Sequence, residues 1–311
     1  MNVIRAQLEL SSKCNFKCVT CRHGYSDYGS NMPDDICDML CEDVIPFIKI
    51  LEIQGTGESL LYPRTGEIIQ KAAKHGAEIT LITNGSLLKE PLLSLLVKTR
   101  VQLVISLDGP NSTVFSMHRP IGNFDNIINN IAKLQEIRTQ NGCEGFTLVV
   151  NMVLTQLNCT DIPEMISLLS NLGVDHLFVS EVRECMPDKN TWDKLNLASV
   201  NSTSEFSSMI NECKLLARQK NIGFSFNANK MTNRIQKRIC EAPWKHIFVA
   251  ADGDVSVCCE LPLVFGNLKE QSLEDILHGS KLFQFQSDML NGNYDKHCLN
   301  CCLSWGLPYS E

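Results

Sequence analysis

The sequence has 311 residues, of which 44% are hydrophobic and 20% are charged, a composition typical of a globular protein with one large or two ordinary domains. The net charge of −7 and the pI of about 5.6 argue against the broad basic surface that nucleic-acid binding requires.

The amino terminus contains no recognisable targeting signal. Residues 1–10, MNVIRAQLEL, lack the basic segment and the long apolar stretch of a signal peptide. No segment approaches the roughly 18 consecutive apolar residues of a membrane helix. We therefore expect a cytoplasmic protein with neither a membrane nor a nucleic-acid partner. In a reducing compartment its 15 cysteines are better explained as metal ligands than as disulfides.

Strand-like and helix-like segments alternate over the first two thirds of the chain. The predicted strands cover residues 3–10, 50–55, 78–85, 102–109, 146–155 and 176–182. The predicted helices cover residues 33–48, 66–76, 87–98, 123–138, 161–173 and 202–219. Because a helix usually makes the crossover between parallel strands, this order predicts an α/β fold. The units are too few to close an eight-stranded barrel, so we expect a partial (β/α)6 barrel with ligands at the carboxyl ends of its strands.

The character of the sequence changes after residue 239. Residues 246–260 alternate around an Asp-Gly pair, as in a β-hairpin, and residues 272–292 favour a helix. We predict a first domain at 1–220, a linker at 221–238 and a small α+β domain at 239–311.

Three cysteines follow the first predicted strand closely: Cys14, Cys18 and Cys21. Three thiolates can hold three irons of a 4Fe–4S cluster and leave the fourth iron open to an outside ligand. A structural zinc site needs four protein ligands, and His23 is the nearby candidate for the fourth. On spacing alone, a Cys3His zinc site remains an alternative.

The Cys-x3-Cys-x2-Cys pattern resembles the radical S-adenosylmethionine superfamily, and further motifs of that family follow in order. They are QGTGESLLYP at 54–63, similar to the family's glycine–glutamate motif, ITNGSLL at 82–88, ISLDG at 105–109 and RPIGNFDNIINNI at 119–131. The resemblance covers the whole chain, and the conjunction of motifs strongly disfavours the zinc alternative.

The resemblance implies a 4Fe–4S cluster whose open iron chelates the amino and carboxylate groups of S-adenosylmethionine. An external one-electron reductant, such as flavodoxin or ferredoxin, would supply the electron. A 5′-deoxyadenosyl radical would then abstract a hydrogen atom from the substrate. The protein supplies orientation and excludes water.

The resemblance also implies roles for individual residues. Glu58 is expected to bind the methionine ammonium group, and Gly55 and Gly57 to let the backbone approach the methionine. Ser106 and Asp108 are expected at the ribose. The other expected cofactor-binding residues are Thr83, Asn84 and Arg119.

Plainer explanations exist for the same residues. Glu58 could cap a helix, and Asp108 and Asn84, each followed by glycine, could simply form turns. The sequence also departs from the family pattern at two positions. Thr20 stands where an aromatic residue often precedes the third cysteine, and Ser59 stands where proline often follows the glutamate.

A second set of cysteines occupies the C-terminal region: Cys240, Cys258, Cys298 and Cys301. With Gly253 five residues before Cys258 and a closing Cys-x2-Cys, this set resembles the auxiliary-cluster domain called SPASM, or its shorter form called twitch. The resemblance implies one auxiliary 4Fe–4S cluster saturated by four thiolates, and so two clusters in all. A structural zinc ribbon is the alternative.

Cys259, beside Cys258, is the predicted catalytic thiol. It could be an inert small apolar residue. It could instead return a hydrogen atom to a substrate radical.

The expected function is therefore a radical oxidation or epimerisation of a small polar substrate that resembles a sugar or an aminocyclitol. Only 13 residues precede Cys14, which leaves no room for the leader-binding domain that peptide-modifying relatives often carry there and mildly favours a small molecule. Epimerisation or crosslinking of a ribosomally made peptide is the alternative. A non-enzymatic Fe–S electron carrier is a more remote one.

Overall fold

The computed structural model describes residues 3–21, 29–142, 145–183, 189–198, 200, 203–227 and 240–299. Its strands are β1 (Arg5–Leu8), β2 (Ile50–Ile53), β3 (Glu78–Thr83), β4 (Gln102–Ser106), β5 (Thr147–Leu154), β6 (His176–Glu181), β7 (Gly223–Asn227), β8 (His246–Val249), β9 (Asp254–Ser256) and β10 (Gly266–Asn267). Its α-helices are α1 (Asp34–Met39), α2 (Thr65–Lys74), α3 (Leu92–Lys98), α4 (Ser112–His118), α5 (Phe124–Asn141), α6 (Ile162–Asn171), α7 (Lys189–Leu195), α8 (Ser204–Gln219), α9 (Ala242–Lys245), α10 (Leu273–Leu277), α11 (Ser280–Leu290) and α12 (Lys296–Leu299). A π-helical turn at Leu40–Val44 and 3-10 turns at Ile45–Phe47 and Ser59–Leu61 complete the helical segments.

The chain order confirms the predicted α/β fold. Each of the strands β1 to β6 is followed by helix, and the predicted strands all lie where the sequence places them. The described chain groups into two compact units. The first unit contains residues 3–13, 29–79 and 240–299, and the second contains the remaining described residues between 14 and 227.

The first unit is organised around β1. This strand pairs in parallel with β2 on one side and with β8 on the other, while β8 and β9, and β9 and β10, pair antiparallel. One face of the three parallel strands is an aliphatic core in which every side chain is fully buried: Ala6, Leu8, Leu51, Ile53, Ile247 and Val249. Burial of each large aliphatic side chain contributes roughly 1.5–3 kcal/mol.

The second unit continues the parallel pattern from the latter part of β3 through β4, β5 and β6 to β7. The pairing in each unit runs in an open series, as a partial barrel requires. Alternate residues of the central strands are fully buried, among them Leu103, Ile105, Leu148, Val150 and Met152. The carboxyl ends of parallel strands lie at one edge, so the segments after β3, β4 and β5 come together there.

Several details differ from the sequence prediction. The helix predicted at 87–98 begins only at Leu92, because Pro91 lacks an N–H group and disfavours helix before it. The helix predicted at 272–292 is two helices separated at His278–Gly279, with Ser272 capping the first of them. The strand β7 and the helices α4 and α7 were not predicted.

Strand β7 lies inside the segment assigned to a linker, residues 221–238. The rest of that segment from residue 228 onward falls outside the described residues. The division into domains at 1–220 and 239–311 stays a prediction.

Among the described residues, no helix combines the length and the apolar character that crossing a bilayer requires.

The turn between β8 and β9 requires glycine. Gly253 has a φ of +94°, and a Cβ added to it would lie 2.6 Å from Cδ1 of Ile36. Its N–H donates to the carbonyl of Ala250, and the N–H of Ala250 donates to the carbonyl of Asp254. This geometry confirms the hairpin that the Asp-Gly pair predicts.

We expect Gly253→Ala to lower the free energy of unfolding by about 2 kcal/mol or more, because the substitution adds a steric clash to backbone strain. Gly76→Ala is the matched control, since Gly76 has a φ of +76° and a Cβ added there would meet nothing within 4 Å; it should cost about 1 kcal/mol. Denaturant unfolding measures both variants. Equal losses would contradict the steric argument.

Candidate active site

The cysteine-bearing loop, residues 14–21, is held to the rest of the second unit by backbone and side-chain hydrogen bonds. The N–H of Val19 donates to the carbonyl of His118 at 2.9 Å, at the end of α4. Asn15 donates to the hydroxyl of Ser86 and accepts from the amide of Asn84, both at 2.9 Å. The buried ring of Phe16 lies against Gly122, where a Cβ would clash with it. The loop is thus anchored at three points between and beside its cysteines.

The three thiols of this loop form no disulfide and influence one another electrostatically. Cys14 is exposed, while Cys18 and Cys21 are half-buried. Burial raises the pKa of the Cys18 thiol to about 11, whereas the nearby Arg119 guanidinium acts to lower it. The N–H of Phe16 donates to Sγ of Cys14 at 3.4 Å, and the N–H of Cys21 donates to the carbonyl of Cys18 at 3.1 Å.

Thr83 and Asn84, at the end of β3, build the turn that supports this loop. The Thr83 hydroxyl accepts from the N–H of Gly85, which has a φ of +77°. The Asn84 side chain accepts from the N–H and the hydroxyl of Ser86 while it donates to Asn15. Both are buried. The turn that the plainer explanation proposes for Asn84-Gly85 is therefore present, and the predicted cofactor contacts of Thr83 and Asn84 stay predictions.

Ser106 and Asp108, at the end of β4, have very different surroundings. Ser106 is half-buried, and its hydroxyl forms no hydrogen bond with another described residue. Asp108 is fully buried. Its Oδ2 accepts from Nε of Arg119 and its Oδ1 from the N–H of Val153, both at 2.8 Å. The strand-end motif thus presents a free hydroxyl beside a carboxylate whose two oxygens are both occupied.

Arg119 is only 6% exposed. Burial by itself would lower the pKa of the guanidinium, but Asp108 and the nearby Cys18 and Cys14 keep it raised. Within the described part of the chain, its two terminal nitrogen atoms donate no hydrogen bond. A buried, charged side chain with unused donors near the cysteine loop is suited to bind an anion such as a carboxylate.

Two further buried side chains complete the polar frame around Asp108, and sequence reasoning did not identify them. Asn158 donates to the carbonyl of Asp108 at 2.9 Å and accepts from the N–H of Thr155 at 2.8 Å. The Thr155 hydroxyl is 2.8 Å from Nε2 of His118, whose backbone carbonyl holds Val19. His118 is the fully buried last residue of α4.

In the first unit, Gly55 to Glu58 form a tight loop after β2. Gly57 lies so close to the carbonyl groups of Ser11 and Lys13 that a Cβ would clash with both. The N–H of Glu58 donates to the carbonyl of Lys13 at 2.7 Å. The buried Glu58 carboxylate accepts from the N–H of Leu60 at 3.1 Å and so caps the short 3-10 turn. The capping that the plainer explanation proposes is present, and the ammonium contact stays a prediction.

Glu9, which directly follows β1, binds this loop, and the sequence analysis missed it. It is 6% exposed. Its Oε1 accepts from both the N–H and the hydroxyl of Thr56 at 2.6 Å, and its Oε2 accepts from the N–H of Ala251 at 3.2 Å. One carboxylate therefore joins the ends of β1, β2 and β8. The signal was a glutamate placed between two leucines directly after an apolar strand.

The second set of cysteines lies in the first unit as far as it is described. Cys240, Cys258 and Cys298 are half-buried and form no disulfide, and Cys301 lies outside the described residues. The N–H of Glu260 donates to Sγ of Cys258 at 3.5 Å. Burial raises the pKa of the Cys240 thiol.

Cys259, the predicted catalytic thiol, is half-buried beside Cys258. Its hydrogen bond with the Cys258 thiol, followed by burial, raises its pKa, while a hydrogen bond from the Gln7 side chain acts in the opposite direction. Gln7 is buried and belongs to β1. Cys259 therefore lies next to the central strand of its unit.

The donor set fits cluster binding by its chemistry. None of the predicted ligands that are described forms a disulfide, and two of them accept backbone N–H groups at sulfur, as cluster thiolates do. In the described ranges, no three His, Cys, Asp or Glu side chains are gathered closely enough to hold a metal ion.

Comparison with known families gives a match for each of the two regions that contain the cysteine sets. The model of the radical SAM superfamily matches residues 8–169, just over half of the chain, and the model of an iron-sulfur cluster-binding domain, SPASM, matches residues 240–302. The first match contains the cysteine loop and every predicted cofactor-binding residue. The second contains all four C-terminal cysteines and Cys259.

Curated relatives match along most of the chain at low identity. The tungsten-containing aldehyde ferredoxin oxidoreductase cofactor-modifying protein of Pyrococcus furiosus is 24% identical over 95% of this chain and 86% of its own length. The antilisterial bacteriocin subtilosin biosynthesis protein AlbA of Bacillus subtilis is 25% identical over 95% of this chain and 64% of its own.

A solved structure shares the fold. SuiB of Streptococcus suis, in its crystal structure bound to the precursor peptide SuiA, matches with a TM-score of 0.68 and 17% identity over 97% of this chain and 70% of that one.

We expect Glu9→Ala to accelerate amide hydrogen exchange at Thr56 and Ala251 by roughly ten- to a hundredfold, because their N–H groups lose a charged acceptor. Exchange followed by mass spectrometry on peptides covering 54–60 and 248–253 measures this effect. Glu78→Ala is the control, since Glu78 is exposed. Unchanged protection in Glu9→Ala would show that the carboxylate does not hold the two loops.

Proposed function

This chain belongs to the radical S-adenosylmethionine superfamily and is an enzyme that uses S-adenosylmethionine and 4Fe–4S clusters, and from this premise we propose that it abstracts a hydrogen atom from a ribosomally made peptide. When bound and reduced, the cofactors supply a 5′-deoxyadenosyl radical. The product is an epimerised peptide if the substrate radical receives a hydrogen atom, and a crosslinked peptide if it forms a new bond within the peptide.

Two comparisons support a peptide substrate better than the sugar- or aminocyclitol-like molecule that the sequence analysis favours. SuiB, which shares the fold, was solved with a precursor peptide, and AlbA is named for bacteriocin biosynthesis. The surface of the second unit agrees with this proposal. Met117, Ile121 and Leu157 are 46%, 58% and 41% exposed beside the buried frame formed by His118, Arg119 and Asn158. Exposed apolar side chains beside a buried polar frame suit contacts with peptide side chains.

A small-molecule substrate is the second candidate. The relative from Pyrococcus furiosus, which matches nearly the whole chain, is described as a cofactor-modifying protein. Oxidation or epimerisation of a small molecule would use the same radical chemistry.

The cysteine loop would hold the first cluster, the one that binds S-adenosylmethionine, through Cys14, Cys18 and Cys21. Three ligands leave one iron for the amino and carboxylate groups of the cofactor. The loop is anchored through Val19 and Asn15, which lie between the cysteines.

Arg119 is the residue that the geometry best supports for binding the cofactor carboxylate, because it is buried, charged and has unused donors. The free hydroxyl of Ser106 is suited to the ribose or the carboxylate. Glu58 would contact the ammonium group, and Gly55 and Gly57 would allow close approach of the backbone.

The C-terminal cysteines Cys240, Cys258, Cys298 and Cys301 would bind the auxiliary cluster. Cys259, which lies beside Cys258 and Gln7, would return a hydrogen atom if the reaction is an epimerisation. An external one-electron reductant such as flavodoxin or ferredoxin would reduce the clusters.

We expect the anaerobically reconstituted protein to cleave S-adenosylmethionine with dithionite. Replacement of Cys14, Cys18 or Cys21 by alanine should abolish this cleavage, since two thiols cannot hold the cluster. Liquid chromatography of 5′-deoxyadenosine measures it. Cys159→Ala is the control, because Cys159 is a half-buried free thiol outside both sets. A wild-type protein with intact clusters that forms no 5′-deoxyadenosine would contradict the proposed function and favour an electron carrier.

Solvent deuterium distinguishes the outcomes on a peptide substrate. An epimerase should incorporate one deuterium per converted residue in D2O, and Cys259→Ala should form 5′-deoxyadenosine without the epimer. A crosslinking enzyme should incorporate none and tolerate Cys259→Ala. Mass spectrometry of precursor peptides encoded beside the gene provides the measurement. Conversion of small molecules only, with every such peptide left unchanged, would favour the second candidate.

A further inference from the structure

We propose that Asp108 is a positioning residue that fixes Arg119 for the cofactor carboxylate and does not itself contact the ribose. The proposal deepens the proposed function and rests on it. It replaces the ribose contact that the family resemblance implies for Asp108 with a different role for the same side chain.

The first argument is that the carboxylate is enclosed by the protein. Asp108 is fully buried, its Oδ2 accepts from Nε of Arg119, and its Oδ1 accepts from the N–H of Val153. A ribose hydroxyl would have to reach a carboxylate that has no exposed surface and that already accepts two charge-assisted hydrogen bonds of 2.8 Å. Ser106, two residues earlier, offers a free and partly exposed hydroxyl instead.

The second argument is the way in which Arg119 is held. Asp108 binds only Nε, so the terminal nitrogen atoms remain available for a carboxylate. Without this contact, a long flexible side chain would lose its fixed orientation. An arginine fixed in advance loses less conformational entropy when it binds its ligand.

The third argument is that the backbone around the pair is itself fixed. Val153 and Asn158 hold Asp108 from β5 and the turn after it. The carbonyl of His118, directly before Arg119, accepts from Val19 in the cysteine loop. The pair thus lies in a frame that contains both the arginine and the loop that carries the cluster ligands.

The test is a double-mutant cycle on the affinity of the reconstituted enzyme for S-adenosylmethionine, followed by the change in the cluster EPR spectrum on titration. Asp108→Asn keeps the shape but can accept only one of the two donors. We expect roughly tenfold weaker binding or more, with a higher KM for S-adenosylmethionine and little change in kcat.

Asp108→Asn should have no further effect in an Arg119→Met background, because both substitutions remove the same interaction. A direct ribose contact predicts independent losses that add.

A second probe, 5′-deoxyadenosine, keeps the ribose and lacks the methionine. The neutral double variant Asp108→Asn/Arg119→Met, which leaves no unpaired buried charge, should bind this probe as the wild type does. This comparison remains valid if either single variant fails to fold. Weaker probe binding in the double variant, or additive losses in the cycle, would overturn the proposal.

The chain provides a matched control. Asp175 accepts from Nη1 of Arg138 at 2.9 and 3.0 Å and from the N–H of Leu148 at 2.7 Å, in the same unit. Asp175→Asn should leave both affinities unchanged. If the wild type forms no 5′-deoxyadenosine, the proposed function fails. If the wild type is active and Asp108→Asn binds S-adenosylmethionine as tightly, only this inference fails.

Discussion

Parallel strand pairing is the constraint on which the candidate site depends. In a parallel sheet the carboxyl ends of the strands lie at one edge, so residues far apart in sequence meet there. In the first unit, Glu9, Thr56 and Ala251 follow β1, β2 and β8, and a single carboxylate joins them. In the second unit, Asn84, Asp108 and Thr155 follow β3, β4 and β5. Each of them belongs to the hydrogen-bonded support of the cysteine loop or of Arg119.

The supporting contacts hold the ligand-bearing loop in place. Residues 14–21 are anchored through Val19, Asn15 and Phe16, and the cysteines lie between and beside these anchors. A cluster needs thiolates that can adjust to fixed metal–sulfur distances. The backbone hydrogen bonds place the loop, and formation of the metal–sulfur bonds completes the geometry.

Several motif residues have a structural task whether or not they also contact a cofactor. Glu58 caps a 3-10 turn, Asn84 holds a turn and the cysteine loop, and Asp108 is paired with Arg119. The plain and the functional interpretations of these residues are therefore compatible, because a carboxylate or an amide has several sites for hydrogen bonds. Asp108 differs because its carboxylate is fully buried and is held by Arg119 and Val153, which is why we assign it a positioning role.

The sequence by itself determined the order of strands and helices, the Asp-Gly hairpin and the cysteine spacing that led to the family. Hydrophobic periodicity and turn residues act over short distances, so they can be read along the chain. Only the tertiary structure decided that Glu9 joins three strand ends in the first unit and that Asn158 holds Asp108 in the second. It also decided that His118 ends a helix and that the short strand β7 pairs with β6. These roles depend on partners about 40 to 240 residues away, and no local pattern records which distant donors and acceptors folding will bring together.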